Sequence, residues 1–578
     1  MIKLVKNNKY LRYFLILMLS FILVFIIRSI NTGRVFALDL NNSINPLHTV
    51  KRACNNTNQN QVSCLAYVVS NLNGSPMNIP LSVVGSIGPV QFHTAYNLPC
   101  TPNGPVQSVC SAPSTYGPET IAIVDAGGFD NSGGTIDESL DGYDSYYGLP
   151  ACTESNGCLT IVNESGQSSP LPANISSGWN DEIALDVETA HMMCQTCKIL
   201  LVEANTAGVA DLATSEATAS SFNPVAISNS YGSSTENASY DSYYEHTGMA
   251  IVASSGDSGA TNVSWPADLP NVVAASGTTL SINSNNTWAG ETVWSSSGGG
   301  CSTNSAPAWQ LALSNWSTAG CGSYRAYGDI SADADPNSGM AVYLATSSTA
   351  GSWYEIGGTS LSSPLIASMY ALAGGVLSNN NAVSILYGSF NSQNSHDITS
   401  GNDCTSTITT NCTAGVGFDT PSGLGSPNGI SGFVVQPATN LNLKVGNYNG
   451  TSVDISWTPS ANSMIGGYYI YRNGVKIATV TSGNSYSDNN LTPNTSYTYY
   501  IQAFDPFSNL ASPTASQTIT TYLPADINED GHVNLIDLSL LASKYGQSGP
   551  SVGRADINGD GTVNLIDLSL LASKYGTE

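Results

Sequence analysis

A glycine-rich turn that leads into an apolar helix is the feature of this sequence that most restricts its fold. Residues 357–364 place Ser360 just before the apolar stretch 365–372. Such a turn exposes a serine hydroxyl and points helix N–H groups at any anion formed beside it. Pro364 is expected in the first helical turn, where a missing N–H costs no hydrogen bond. The run suits a nucleophilic serine, and it also suits a Gly/Ser turn that only caps a buried helix.

Two carboxylates lie four residues apart in a second segment, residues 178–188, which is predicted to be helical. Glu182 and Asp186 would then share one helix face. Since like charges so close resist joint ionisation, the pair would hold a shared proton over part of the acidic range. Such a pair can take a proton from serine and return it to a leaving amine. A solvated acidic helix face is the ordinary alternative.

A third motif places Asp257 in the sequence Ser-Ser-Gly-Asp-Ser-Gly, residues 254–259. It directly follows the apolar residues 249–253, which predict a strand. An aspartate at the end of a strand is often only a turn former.

Together the three motifs resemble those of the sedolisins, the serine-carboxyl peptidases, which combine a Glu-x-x-x-Asp helix, a Ser-Gly-Asp loop and a Gly-Thr-Ser-x-Ser-x-Pro turn. The resemblance covers residues 113–435. It implies that Ser360 is the nucleophile and Glu182 the general base and acid. It also implies that Asp186 orients and tunes Glu182, and that Asp257 stabilises the oxyanion. A carboxyl group donates a hydrogen bond only while protonated, so an acidic activity optimum is expected.

Two other functions are consistent with parts of the sequence. The first is a subtilisin-like peptidase with a histidine base such as His191, which would have a neutral optimum and survive Glu182→Ala. No histidine stands in a His-Gly-Thr-like segment; the six are His48, His93, His191, His246, His396 and His532. The second is a catalytically inactive relative that acts as a surface binding module. The intact set of four acidic and serine residues argues against it.

The sedolisin resemblance also implies a calcium site near the end of the same region. The matching residues are Asp397, Ile398, Gly415, Gly417 and Asp419. Carboxylate and backbone carbonyl oxygens are the ligands that calcium prefers. A glycine-rich surface loop with scattered acids is the alternative.

Short apolar runs predict the fold of this region. Residues 120–124, 199–202, 225–227 and 251–253 are typical of buried parallel strands, with helical segments between them. We therefore expect an α/β, subtilisin-like domain built on a parallel sheet, with Asp257 at a strand end where such sheets place their sites. Residues 38–112 are too short for the folded prodomain that sedolisins normally carry, so the sequence leaves open how the enzyme is kept silent.

The N-terminus predicts export. Lys3, Lys6, Lys9 and Arg12 precede the apolar residues 13–27, a pattern typical of a signal peptide, here 1–37 with cleavage after Ala37. An uncleaved membrane anchor is the alternative. We expect a secreted or cell-surface protein.

Cysteine content and charge agree with an exported protein. Twelve cysteines favour disulfides between near neighbours. The expected pairs are Cys54–Cys64, Cys100–Cys110, Cys152–Cys158, Cys301–Cys321 and Cys404–Cys412. Cys194 and Cys197 could be redox-active or metal-binding, although a structural pair is expected in this compartment. The net charge of −25 argues against nucleic-acid binding.

Two smaller modules are predicted after residue 435. Within residues 436–523, apolar and polar residues alternate with period two, which predicts strands. The same region contains Leu491, Pro493, Thr495 and Tyr497, which resemble the tyrosine-corner turn of fibronectin type III β-sandwiches.

Residues 524–578 contain a thirty-residue repeat, and each copy opens with a calcium-loop pattern followed by a helix pattern. The expected ligands are Asp526, Asn528, Asp530, Asn534 and Asp537, then Asp556, Asn558, Asp560, Asn564 and Asp567. The repeat resembles a dockerin, which implies a small α-helical module that binds Ca²⁺ and docks onto a cohesin partner. Exposure of Leu535, Ile536, Leu565 and Ile566 would favour docking over a calcium-stapled cap.

Overall fold

The computed structural model describes residues 48–54, 62–71, 86–103, 107–111, 119–409, 411–447, 449–462 and 464–577. The expected signal peptide or anchor at residues 1–37 lies outside this part of the chain. Among the described residues, no helix combines the length and the apolar character that crossing a membrane requires.

An α/β domain occupies the described residues from 48 to about 435. Its strands are β1 (His48–Arg52), β2 (Ser63–Cys64), β3 (Tyr67–Asn71), β4 (Cys100–Asn103), β5 (Gln107–Cys110), β6 (Thr120–Ala126), β7 (Leu159–Asn163), β8 (Lys198–Ala204), β9 (Ala226–Asn229), β10 (Tyr231–Gly232), β11 (Ala250–Ser254), β12 (Val273–Ile282), β13 (Trp288–Val293), β14 (Gly300–Ser305), β15 (Tyr324–Tyr327), β16 (Ile330–Asp333), β17 (Met340–Ser347), β18 (Ala350–Gly357), β19 (Ser395–His396) and β20 (Ser426–Pro427). Its helices are α1 (Pro89–Ala95), α2 (Ile136–Tyr147), α3 (Ser177–Met193), α4 (Val209–Ser221), α5 (Ala308–Leu311), α6 (Trp316–Ala319), α7 (Thr359–Leu372) and α8 (Ala382–Ser389), with short 3-10 turns at Asp241–Tyr244 and Ser431–Phe433.

The centre of the domain is an eight-stranded sheet in the order β13-β12-β11-β9-β6-β8-β7, with β16 also paired to β12. All pairs except the antiparallel β12–β13 pair are parallel. Strands β6, β8, β9 and β11 contain the predicted apolar runs and are almost entirely buried, because helices cover both faces of a parallel sheet. The predicted α/β parallel-sheet fold is confirmed.

Helix α7 is buried along its whole length and packs against α3, β9, β11 and β12. Gly358 begins it with φ of +104°, a backbone conformation that side-chain-bearing residues rarely adopt. The prediction for Pro364 is wrong, since α7 begins at Thr359 and the proline lies in the second turn. Its missing N–H leaves the Ser360 carbonyl oxygen without a helical donor, and the Ser230 hydroxyl donates to that oxygen at 3.3 Å instead.

Strands β1, β2 and β3, from the N-terminal part of the described chain, pair with later strands of this domain in two smaller sheets. One has the order β1-β3-β18-β17, and the other pairs β2 with β10. The disulfide Cys54–Cys64 links Cys54, which follows β1, to the end of β2. The other disulfides also match the expected pairs, including Cys194–Cys197: Cys100–Cys110, Cys152–Cys158, Cys301–Cys321 and Cys404–Cys412.

The next module is a β-sandwich of two sheets, β21-β22-β25 and β24-β23-β26-β27. Its strands are β21 (Thr439–Val445), β22 (Ser452–Thr458), β23 (Gly467–Arg472), β24 (Val475–Val480), β25 (Ser485–Asn489), β26 (Ser496–Phe504) and β27 (Gln517–Thr520). The hydroxyl of Tyr497 accepts a hydrogen bond from the Thr492 N–H at 2.9 Å, as the predicted tyrosine corner requires.

The last module consists of two short helices, α9 (Leu535–Lys544) and α10 (Leu565–Lys574), joined by a 3-10 turn at Pro550–Ala555. Each helix starts with a capping box, formed by Asn534 with Asp537 and by Asn564 with Asp567. The two halves exchange equivalent backbone hydrogen bonds, from Gly576 to Val533 and from Gly546 to Val563. The predicted repeat therefore folds as two matching halves around one small core.

Candidate active site

The fold brings the three predicted motifs together at one end of the parallel sheet. Ser360 is the second residue of α7 and is fully buried. Its hydroxyl donates to the Ser230 carbonyl oxygen at 3.4 Å, just beyond the end of β9. The nucleophile candidate thus lies where two central strands end, as open parallel sheets require.

Glu182 and Asp186 lie on the buried face of α3, against α7. Burial raises the pKa of Glu182 well above its usual value, and the nearby charges of Asp186 and Asp125 raise it further, while the Ser360 hydroxyl lowers it. Both carboxylate oxygens of Glu182 are buried, and neither has a hydrogen-bond partner among the described residues. A protonatable carboxyl with a free oxygen beside a serine hydroxyl has the properties of a general acid and base.

Asp186 extends this acidic cluster away from Ser360. Burial raises its pKa, the charge of Asp125 raises it further, and the Ser230 hydroxyl lowers it. Coupling to Glu182 means that the two carboxyls titrate together.

Asp125, near the end of β6, is a member of this cluster that the sequence analysis missed. Its side chain is fully buried, and burial together with the charge of Glu203 raises its pKa to about 8. A signal was present, because Asp125 directly follows a predicted apolar strand, as Asp257 does. The carboxyls of Glu182, Asp186 and Asp125 therefore cannot all ionise together, and they share protons over the acidic range.

Asp257 lies in the loop after β11 and contacts Thr359, the residue before Ser360. Its Oδ1 accepts hydrogen bonds from the backbone N–H and the hydroxyl of Thr359, at 2.8 and 2.7 Å. Its Oδ2 is buried and has no partner among the described residues. Burial raises the pKa of Asp257 to about 7, against the lowering effect of the two Thr359 hydrogen bonds and of the Arg52 charge. Below this pKa, Oδ2 can carry a proton toward an oxyanion beside the Ser360 N–H.

A cavity of about 180 Å³ lies next to Asp257. It is lined largely by glycine and serine, including Gly232, Ser255, Gly256 and Ser264, and by Leu65 from the N-terminal segment. A space of this size beside the candidate oxyanion donor Asp257 can receive one substrate side chain.

Four histidines whose contacts the structure describes, His93, His191, His246 and His396, are engaged elsewhere and offer no base to Ser360. His191, fully buried, contacts the Pro150 carbonyl oxygen at 2.8 Å and Asp144 at 3.2 Å. It follows Glu182 by nine residues on α3, about 14 Å along the helix. His93 contacts Met192, His246 contacts Tyr243, and His396 stacks on Trp288. This geometry disfavours the subtilisin-like alternative.

The first predicted calcium site forms one compact loop pair near Ser422. The Asp397 carboxylate accepts from the Gly417 N–H at 3.0 Å, and Asp419 accepts from the Gly415 N–H at 2.8 Å. The Ile398 carbonyl oxygen lies 3.4 Å from the Ser422 hydroxyl, which also donates to Asp419. Burial raises the pKa of Asp419 to about 6, and the Asp397 charge adds to this. Two carboxylates that repel each other beside carbonyl oxygens fit a divalent cation.

The two C-terminal loops have nearly identical geometry. In the first, Asp526 accepts from the Gly531 N–H at 2.9 Å, and the Asn528 amide donates to Asp530 at 2.8 Å. Asp556, Asn558 and Asp560 repeat these contacts in the second loop, at 2.7 and 2.8 Å. The Asn528 and Asn558 hydrogen bonds lower the pKa of Asp530 and of Asp560. Carboxylates held ionised around a tight loop fit Ca²⁺.

The remaining predicted ligands have capping roles in the same loops. Asn534 and Asn564 cap α9 and α10 with their side chains. Asp537 and Asp567 are buried and accept the N–H groups of Ile527 and Ile557. Their contacts bring the end of each predicted loop back to its start.

Each region of the chain is similar to known proteins. Residues 436–516 match the fibronectin type III domain, and residues 524–574 match the dockerin type I domain. The chain is 36% identical to sedolisin of Pseudomonas sp. (strain 101) over 29% of its length, and 29% identical to kumamolisin of Bacillus sp. (strain MN-32) over 54%. The α/β domain is a relative of the sedolisins. The chain spans 30% of the length of that sedolisin and 59% of that kumamolisin.

The sedolisin-like domain also aligns with a solved structure, Pseudomonas sedolisin (serine-carboxyl proteinase) complexed with two molecules of pseudo-iodotyrostatin. The TM-score is 0.47 and the identity 25%, over 60% of this chain and 96% of that one.

Proposed function

We propose that the sedolisin-like domain is an exported serine-carboxyl endopeptidase that cleaves peptide bonds at acidic pH. The observation that carries the proposal is the placement of Ser360 between a buried carboxyl pair, Glu182 with Asp186, and the unpartnered Oδ2 of Asp257. The sequence relationship to sedolisin and kumamolisin supports the same reaction class.

Each of the four residues has a separate role in the proposed reaction. Glu182 accepts the Ser360 hydroxyl proton as Oγ attacks the substrate carbonyl, and it later returns the proton to the leaving amine. Asp186 keeps Glu182 oriented and partly protonated through their coupling. The Ser360 N–H and protonated Asp257 stabilise the oxyanion, and both donors are in place before the reaction.

Glutamate-to-glutamine exchange tests the assignment of the base. Glu182→Gln cannot accept the serine proton, and we expect hydrolysis of an unfolded protein substrate at pH 4 to 5 to fall by about 10²–10⁴-fold. Glu188→Gln is the matched control. Glu188 is buried on the same helix and accepts from the Tyr343 N–H, and it lies six residues, about 9 Å along the helix, beyond Glu182. Equal activity of the two variants would contradict the proposal.

We further propose that the C-terminal module binds Ca²⁺ and attaches the enzyme to a cohesin-type partner. Leu535 and Leu565, at equivalent positions, are 64% and 67% exposed, and Ile536 and Ile566 are each 54% exposed. Apolar side chains this exposed on so small a module indicate a contact surface. The test is calcium-dependent binding of the full chain to a cohesin domain. Binding that survives Leu535→Asp combined with Leu565→Asp would contradict the assignment of this surface.

The acidic Asp397–Asp419 loop pair is proposed as a further Ca²⁺ site that stabilises the sedolisin-like domain. Asp397, Asp419 and the carbonyl oxygens of Ile398, Gly415 and Gly417 would hold the ion. Its test is calorimetry of the full chain with and without a chelator. An unchanged unfolding temperature of the sedolisin-like domain would contradict it.

A further inference from the structure

The β-sandwich contacts the sedolisin-like domain through residues 505–510, the loop that follows β26. In this loop, Asp505 and Asn509 are buried although both are polar. Asn380 of the sedolisin-like domain, just before α8, is buried as well. Buried amide and carboxyl groups are costly unless they are hydrogen-bonded, so their partners show what holds the two modules together.

Asparagine side chains form the hydrogen bonds across this contact. Asn380 Nδ2 donates to the Leu510 carbonyl oxygen, and Asn380 Oδ1 accepts from the Leu510 N–H, both at 2.8 Å. From the sandwich, Asn509 Oδ1 accepts from the Asn381 N–H at 2.9 Å, and Asn509 Nδ2 donates to the Ser384 hydroxyl at 2.8 Å. Each of the two asparagines therefore uses a donor and an acceptor on the opposite module.

Asp505 fixes the loop that presents Asn509. Its Oδ1 accepts from the Phe507 and Asn509 N–H groups, at 2.9 and 2.8 Å, and its Oδ2 accepts from the Asn509 amide at 2.7 Å. A methyl group on Gly388 of α8 would lie 2.8 Å from this Oδ2. The helix therefore has a glycine where the sandwich loop packs against it, and a larger residue would displace the loop.

The connection between the two modules is also buried, at Val435 and Ala438. Between them, the Gln436 carbonyl oxygen accepts from the Ser460 hydroxyl of the sandwich at 2.6 Å. The Gln436 side-chain amide donates to the Ser431 carbonyl oxygen of the sedolisin-like domain at 3.1 Å. Linkers between independent domains are exposed and flexible, whereas this one is bonded to both modules.

Apolar side chains of both modules line a cavity of about 540 Å³ beside the asparagine contacts. Leu510 and Pro513 come from the sandwich, and Val376, Leu377 and Ile385 come from the sedolisin-like domain. The buried apolar side chains of the two modules also belong to one continuous cluster. The contact therefore combines apolar packing with hydrogen bonds, as stable interfaces do.

Helix α8 connects this contact to the helix that carries Ser360. The Tyr370 hydroxyl of α7 donates to the carbonyl oxygen of Ala382, the first residue of α8, at 2.9 Å. The Tyr387 hydroxyl of α8 donates to Asp329 at 2.7 Å, and Asp329 forms a fully buried ion pair with Arg325. Helix α8 is thus bonded both to the core of the sedolisin-like domain and to the sandwich loop.

We propose that the β-sandwich is permanently docked on α8 and is a structural part of the sedolisin-like domain, not a flexible spacer. The surface formed by Asn380, Asn381, Ser384 and Gly388 takes the 505–510 loop of the same chain as its partner. Loss of this contact is expected to loosen α8 while the candidate active-site residues stay unaltered. The docking does not depend on peptidase activity.

Hydrogen exchange of the full-length chain, followed by mass spectrometry at residues 380–389, tests the docking. Asn509→Ala removes the hydrogen bonds from the sandwich to Asn381 and Ser384. We expect exchange at residues 380–389 to become at least about tenfold faster, because buried groups lose their partners. Asn442→Ala is the matched control, since Asn442 is exposed and donates to Ser456 within the sandwich at 3.4 Å.

Gly388→Ala tests the same contact from the other module. Alanine is normally more stable than glycine in a helix, so an undocked α8 would give a higher Tm. Against a docked loop the added methyl group meets Asp505, and we expect the Tm of the full-length chain to fall by at least about 2 °C. Gly290→Ala is the control and should not lower Tm, because a methyl group there meets nothing within 4 Å.

The combined variant shows whether the two substitutions act on one contact. Gly388→Ala with Asn509→Ala should lower Tm by less than the sum of the two single shifts, because the first substitution has already broken the contact. Unchanged exchange at residues 380–389 in Asn509→Ala, or a higher Tm in Gly388→Ala, would overturn the docking. Fully additive shifts in Tm would also contradict a single shared contact.

Discussion

The backbone N–H of Ser360 donates a hydrogen bond to the Leu65 carbonyl oxygen at 3.4 Å, across almost three hundred residues of sequence. The same N–H is the donor that an oxyanion would need, so the N-terminal segment and a substrate compete for one group. Ser360 is completely buried, as is the rest of α7.

The free oxygen of Asp257 should set the upper pH limit of activity. Asp257→Ala removes the donor, and we expect kcat to fall by about 10²–10³-fold. Asp257→Asn keeps a neutral donor at every pH and can still accept from Thr359, so it should retain more activity than the alanine variant. Its pH profile should also lose any step that Asp257 contributes near 7, where burial places its pKa. Identical pH profiles for the asparagine variant and the unaltered chain would contradict this role.

The sedolisin-like domain should be more stable at pH 5 than at pH 8. Burial raises the pKa of Asp125, Glu216 and Asp403 to about 8, and that of Asp257 to about 7. Because the folded state holds these protons more tightly, stability is full below the unfolded value near 4 and falls as the pH rises toward 8. A loss of about 1 kcal/mol lowers Tm by about 2–4 °C, so several groups should give a clear shift. Calorimetry that shows a higher Tm at pH 8 would contradict this account.

Sequence motifs predicted most of the candidate site, because the positions of these residues follow from local backbone geometry. The helical period puts Glu182 and Asp186 on one face, and the strand before Asp257 delivers it to a sheet end whatever the rest of the chain does. Asp125 was missed because one acid after an apolar run has no recognisable spacing to a partner. The path of residues 63–69 could not be predicted, because their pairing with β10 and β18 depends on contacts far apart in sequence.

The cavity next to Leu65 should favour a large apolar side chain before the cleaved bond. About 180 Å³ remains beside Leu65, so peptides with Phe or Tyr there should be cleaved faster than peptides with Ala. Gly232→Val should narrow the cavity and reverse this preference, because even a methyl group there already meets Leu65 and Ser264. Gly290→Val is the matched control, since a methyl group at Gly290 meets nothing within 4 Å. The ratio of kcat/KM for the peptides measures the effect, and an unchanged ratio in Gly232→Val would count against the cavity.

Each C-terminal loop should bind one Ca²⁺. Asp526→Ala and Asp556→Ala should each lower the calcium stoichiometry of the full chain by one in titration calorimetry, because each removes a carboxylate from its own loop. Glu529→Gln is the control, since Glu529 lies in the first loop but pairs with Arg554 at 3.3 Å instead. A stoichiometry that Asp526→Ala leaves unchanged would contradict the assignment.

The most direct test of the serine-carboxyl account is the rate of hydrolysis of an unfolded protein by the acid-treated full-length chain from pH 3 to pH 8. The comparison is with Ser360→Ala and with the control Ser368→Ala. Ser368 lies further along the same helix, and its buried hydroxyl has no partner among the described residues. We predict activity confined to acidic pH, lost by at least about 10³-fold in Ser360→Ala and retained in Ser368→Ala. Hydrolysis that persists in Ser360→Ala, or that rises toward pH 8, would contradict the account.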